Sequence, residues 1–223
     1  MSVTQGVRVS RGITGVMNLL ATTAARVRYG NRFPRMTDPI WIDPTSLKEV
    51  PHKRGSCKYW QPSREPYSPV LGGDWDEPRA PLPPRIYIFT QHLKLYERDP
   101  AQARLVTRPH FQEAGYTHAA TEARLQHLEG VYESVKHEGF HPYSHSRRGL
   151  IRALPTRVRG FFIDGVSAIQ IAIARNGDCL FVTGQHRLAA SLALGLGRVP
   201  AVVCRVHRSW VLASMRRPNG QTP

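Results

Sequence analysis

Apolar positions in the C-terminal third repeat with two different periods, and the change of period marks the elements. From Ala168 to Arg175 apolar residues alternate, putting Ile169, Ile171 and Ile173 on one face of a predicted strand. Asn176-Gly177-Asp178 is a strong hairpin turn, and Leu180-Phe181-Val182 is the return strand. Beyond it the period lengthens: Leu188, Leu192 and Leu196 share one face of a helix predicted from about Gln185 to Leu196. Val199–Val206 supplies another strand. Upstream, Leu125, Leu128, Val131, Tyr132 and Val135 trace an amphipathic helix between Thr121 and His137, with Gly139 as its stop. Residues 86–97 also carry a helical pattern, Pro39–Pro44 reads as a short strand ended by a turn, and 46–50 as a helical turn or loop. Strands and helices in this order predict an α+β fold.

The pattern divides the chain into four stretches. Residues 121–212 form the expected core, 37–120 a Pro-rich extension with short strands and helices, and 213–223 a flexible tail. Many of the 18 prolines lie between Pro34 and Pro109, which predicts long irregular connections there and a polar surface excursion over 51–69. Residues 1–36 carry six arginines and no acid, with Ile13, Val16, Met17, Leu20, Ala24 and Val27 at helical spacing. Such a basic amphipathic helix suits an anionic membrane surface or an organelle transit peptide, and equally a helix packed on the domain.

At 223 residues the chain has room for one main domain with extensions. Its net charge of +15, from 31 Lys and Arg against 16 Asp and Glu, favours polyanionic partners: nucleic acid, nucleotides or an anionic membrane. The three cysteines, Cys57, Cys179 and Cys204, stand far apart and in no metal spacing. Buried thiols in a reducing cytoplasm fit that usage better than a disulfide framework. No apolar run approaches the length of a membrane span.

The most informative stretch is the corner where the return strand meets the helix. Thr183-Gly184-Gln185-His186-Arg187 sets a tight glycine turn and a His-Arg pair at a helix start, where free N–H groups and the helix dipole point the same way. A phosphate or carboxylate is the natural ligand. Asp74 and Asp76, if extended, share a face opposite Trp75 and could hold a cation or steer a base; Gly-Gly-Asp is also ordinary turn chemistry. His137, His141 and His145 are spaced four apart, but Gly139 and Pro142 break the helix that would align them, so no metal site is expected.

The succession of helix, Gly139-x-x-Pro142, strand, Asn176-Gly177-Asp178, strand, Gly184-Gln185-His186-Arg187, Ala-rich helix, Leu194-Gly195 and Val199-Pro200-Ala201-Val202 resembles the ParB/sulfiredoxin superfamily. The resemblance spans about Tyr132 to Trp210. Outside it, Trp41-Ile42-Asp43-Pro44, Gly73-Asp74-Trp75-Asp76 and Arg205-Val206-His207-Arg208-Ser209-Trp210 are similar to recurring motifs of a less-characterised prokaryotic group with the same core. In that superfamily the glycine turn and helix start hold nucleotide phosphates, which implies Gly184, Gln185, His186 and Arg187 as the phosphate-binding set. Two departures bear on activity. Gln185 stands where sulfiredoxin has its reactive cysteine, which excludes sulfinic-acid reduction. Thr183 stands where many relatives have Asp, and Thr can replace that residue only as a helix cap. Only about a dozen residues follow Trp210, too few for the downstream DNA-binding domain of a partition protein.

Two functions from different classes follow. One is a nucleotide-dependent phosphotransferase or hydrolase, with an ATP- or CTP-type nucleotide and Mg²⁺ as companion cation. Phosphoryl transfer needs mainly positioning and charge neutralisation, which Arg187 and the helix start supply, with His186 beside them. The base or metal-binding carboxylate would come from Glu138, or from Asp74 and Asp76. The other is a non-catalytic module binding nucleotide, nucleic acid or protein. A purely structural reading has His186 capping the turn and Arg187 paired with Asp164 or Glu138; His207 and Trp210 could lie beside the same corner or simply pack the tail.

Overall fold

The computed structural model describes residues 27–28, 39–51, 70–140 and 169–216. The chain is α+β. Seven strands are β1 (Pro39–Ile42), β2 (Glu49–Pro51), β3 (Val70–Leu71), β4 (Arg79–Pro81), β5 (Ile169–Ile173), β6 (Cys179–Thr183) and β7 (Val199–His207). Among the described residues these are joined by the helices α1 (Pro84–Tyr96), α2 (Pro100–Glu113), α3 (His118–Glu138), α4 (Gln185–Ala193) and α5 (Arg208–Arg216).

β5 and β6 form the expected hairpin, α4 carries the chain back, and β7 pairs parallel with β5 on its other side. β1 lies antiparallel on β7 and β3 adds parallel at its far end, giving a five-stranded mixed sheet in the order β1-β7-β5-β6. β2 and β4 make a separate antiparallel pair. The 37–120 stretch is therefore no appendage: two of its strands belong to the main sheet.

Each face of the sheet buries what the period predicted. Ile169, Ile171 and Ile173 pack with Phe181, Val199, Ala201 and Val203 under Leu188 of α4 and Ile86 of α1. Each such fully buried aliphatic contributes about 1.5–3 kcal/mol. The other face holds Ala172, Ala174, Leu180 and Val182 beneath Trp75. A second core, of Phe89, Leu93, Phe111, Leu125, Leu128 and Tyr132, joins α1, α2 and α3 to Ala189 and Ala190 of α4. Small residues on that side of α4 let α1 and α3 approach closely.

α1 follows the helical pattern of 86–97, whereas α2 stands where the prolines suggested an irregular connection. Pro84 and Pro100 stand at the first turn of α1 and α2, where the missing N–H costs nothing and the fixed φ suits the helix. Asp99 and Thr117 cap α2 and α3, and Gly139 at φ 73° ends α3 as predicted. α4 stops at Ala193, short of Leu196, because Gly195 turns left-handed at φ 64° and the Leu196 N–H bonds back to Ser191. Val27 and Arg28 are helical, and Val27 is exposed; the rest of the 1–36 amphipathic segment, the 52–69 excursion and residues 217–223 of the tail lie outside the described residues.

Candidate functional site

The corner after β6 is built as the sequence suggested, with one correction to its chemistry. Gly184 takes φ 98°, a conformation open to glycine, and turns the chain directly into α4. No side chain caps that helix start. Thr183 ends β6 exposed and does not act as the cap. Gln185, His186 and Arg187 occupy the first turn, all half-buried.

His186 is not a cation. Its ring lies 5.2 Å from Phe89 and 5.0 Å from His127, centroid to centroid. Burial, then the neighbouring His127, Arg124 and Arg85, pushes its pKa down to about 4. The expected cationic His-Arg pair is therefore a neutral imidazole beside one guanidinium. His186 does not cap the turn either; it wedges α4 against α1 and α3.

Arg187 faces a cleft of about 320 Å³ along α3, lined also by Gln126, His127, Gly130, Ser134 and Phe140. Its guanidinium lies 6.0 Å from the Phe140 ring centre, and burial lowers its pKa from the ordinary value. Ser191 Oγ donates to the Arg187 carbonyl at 2.7 Å, fixing the turn that carries the side chain. Gly130 sits inside α3, where glycine costs about 1 kcal/mol against alanine. No atom lies within 4 Å of where a Cβ would stand, so packing does not require that glycine. A side chain there would project into the cleft. Sequence reasoning missed Gln126, His127, Gly130 and Ser134; a lone glycine inside a strongly helical pattern was the available signal.

Among the described residues no carboxylate lines this cleft. Glu138 ends α3 exposed and is not among the residues lining the cleft. Asp164, the other expected partner of Arg187, lies outside the described residues. Asp74 and Asp76 are held by Arg175 at the opposite end of the sheet. Asp76 is fully buried; its Oδ2 accepts the Arg175 backbone N–H at 2.8 Å and its Oδ1 accepts Nη2 at 2.7 Å. Burial pushes Asp76 upward, but the Arg175 bonds outweigh it and hold the carboxyl below its ordinary range. Asp74 accepts from the same Nη2 at 2.8 Å. A cation site would have to displace this guanidinium, so the carboxylate pair serves the fold.

His207 and Trp210 lie at that end too, away from the corner. His207 Nε2 lies 2.8 Å from the Gly73 carbonyl and 3.7 Å from Asp76 Oδ1, while Nδ1 accepts the Ser209 N–H at 3.1 Å. Trp210 packs on Gly177 of the hairpin turn, leaving about 3.1 Å to the place a Cβ would take. Arg79 clamps the same turn through Asp178 at 2.6 Å and Asn176 at 3.1 Å. Two of the three outer motifs are thus the scaffold of one sheet end; the first lies at the other end, where Ile42 pairs with Val199 and Asp43 accepts the Thr45 N–H at 2.8 Å and starts a turn of 3₁₀-helix. His137 bonds Glu133 at 3.0 Å, and His141 and His145 lie outside the described residues.

Among the described residues no helix is long and apolar enough to cross a membrane, and no three His, Cys, Asp or Glu side chains gather as a metal site. No protein-family model, curated protein or solved structure matches the chain.

Proposed function

We propose that the cleft between α3 and the start of α4 binds a phosphate-bearing ligand, a nucleotide above other anions, with Arg187 as the charged contact. The observation that carries this is Arg187, in the first turn of a helix without a side-chain cap, lining one cleft together with Gly130. Arg187 supplies the charged anion partner, and the N–H groups of the turn that carries it add the favourable end of the helix dipole. Gly130 leaves open the space a side chain would fill. Gln126, His127 and Ser134 supply polar groups for the remainder of the ligand, and Phe140 an aromatic face. The strand–turn–strand–corner–helix–strand order supports assignment to the ParB/sulfiredoxin superfamily as part of the same proposal. Free thiols at Cys179 and Cys204 suit a reducing cytoplasm.

The reading is of binding. No carboxylate lines the cleft among the described residues, so the groups present do not fit a protein-held Mg²⁺, and we derive no catalytic step. Titration calorimetry with ATP, ADP, CTP, GTP and pyrophosphate, with and without Mg²⁺, tests the proposal. Saturable binding by wild type, weakened about 10–100-fold in Arg187→Ala with an unchanged melting temperature, is the expected result. Absence of binding by every probe overturns it.

A further inference from the structure

On the outer side of the helical layer, α1 and α2 enclose a groove of about 650 Å³, separate from the cleft beside Arg187. Its walls are Tyr87, Ile88, Leu95 and Val106, and Tyr87 and Val106 are each 54% exposed. Lys94, Arg98 and His110 line it as well, and no carboxylate lines it among the described residues. The nearby acids are engaged elsewhere: Glu97 accepts from Lys136 at 2.8 Å, and Asp99 caps α2. A buried network fixes the two walls. His92 Nδ1 lies 3.0 Å from Thr107 Oγ1, its Nε2 3.3 Å from Glu129 Oε1, and Arg104 pairs with Glu129. The groove is thus a preformed trough between two helices, with apolar side chains and two cations, Lys94 and Arg98, in its lining.

We infer that this groove docks an acidic amphipathic helix of a partner protein. Two walls of 13 and 14 residues, about 20 Å long, match the helix-in-groove mode, in which apolar side chains at i, i+3/i+4 and i+7 enter the trough. Charge selects the occupant. The chain's own remaining segments are cationic: 1–36 has six arginines and no acid, 52–69 has four cations against one acid, and 141–168 five against one. All would meet Lys94 and Arg98 with like charge. A second copy, at +15, meets the same repulsion. A single-stranded nucleic acid needs cations tracking its backbone along the groove, whereas here Lys94, in the last turn of α1, and Arg98, just beyond it, are the only Lys or Arg side chains among the described lining residues. An acidic amphipathic helix suits both the apolar lining and these two cations.

The test is selection of displayed helical peptides of about 16 residues on the full chain, followed by titration of the enriched sequence. Enrichment of acidic peptides with apolar residues at helical spacing is expected. Binding should weaken at least about tenfold in Val106→Glu and in the double variant Lys94→Glu/Arg98→Glu. These positions are exposed, so fold is retained and is checked by circular dichroism. Failure to enrich, enrichment of neutral or basic peptides, or indifference to Val106→Glu overturns the inference. So does oligothymidine binding that depends on the groove residues more strongly than peptide binding does. Arg187→Ala leaves peptide binding unchanged, which separates this groove from the phosphate cleft.

Discussion

Arg175 and Asp76 meet twice: the carboxylate receives both the backbone N–H of Arg175, at 2.8 Å, and its guanidinium, at 2.7 Å. One residue ends the region of β5 and the other follows β3, so the bond ties the loop bearing Trp75 to the sheet. Asp76→Ala leaves a part-buried guanidinium and an unpaired N–H, and should cost about 2–4 kcal/mol. Asp74→Ala should cost under about 1 kcal/mol, because that side chain is 84% exposed. Urea unfolding of the two variants checks the contrast.

His186 makes stability depend on pH in a definite direction. Its folded pKa is near 4 against an ordinary value of 6.5, so the unfolded chain takes up the proton first. The contribution is complete above pH 6.5 and is lost as pH falls from there toward 4, reaching roughly 2–3 kcal/mol. His92, also lowered by burial, acts in the same direction. Subtracting the unfolding curve of His186→Leu from that of wild type isolates the single ring, and the difference should grow across that window.

Gly130 separates stability from binding. Gly130→Ala should raise stability by about 0.5–1 kcal/mol, since the position is inside α3 with nothing near its absent Cβ. Gly130→Leu should fill the cleft and weaken nucleotide binding at least about tenfold while the helix persists. Melting curves and titrations on the same samples read both effects.

Glu129 is the buried acid among the described residues of the helical layer, held between His92 and Arg104. Glu129→Ala removes the partner of both and should destabilise by about 3 kcal/mol. Glu129→Gln, which keeps two acceptor or donor positions for the same neighbours, should cost less. Thermal denaturation ranks the pair.

The sheet and its corner were legible because their signals are local. The alternation at Ile169, Ile171 and Ile173, the Asn-Gly-Asp turn and the glycine before Gln185 each specify one conformation within a few residues. α2 was hidden because Pro100 and Pro109 read as breaks, although a proline at a helix start favours it. The roles of His186 and Asp76 were hidden for another reason. Both depend on partners far away in the chain: Phe89 and His127 for one, Arg175 for the other. Sequence shows a residue's capacity for charge; the fold decides whether it keeps it.

The most direct test of the account is backbone amide NMR of the isotope-labelled chain titrated with ATP. Shifts confined to Gly184–Arg187 and to the α3 face from Gln126 to Phe140 are predicted, and they should vanish in Arg187→Ala. Shifts that instead gather on the α1/α2 groove, or that survive in Arg187→Ala, would contradict a phosphate site at this corner.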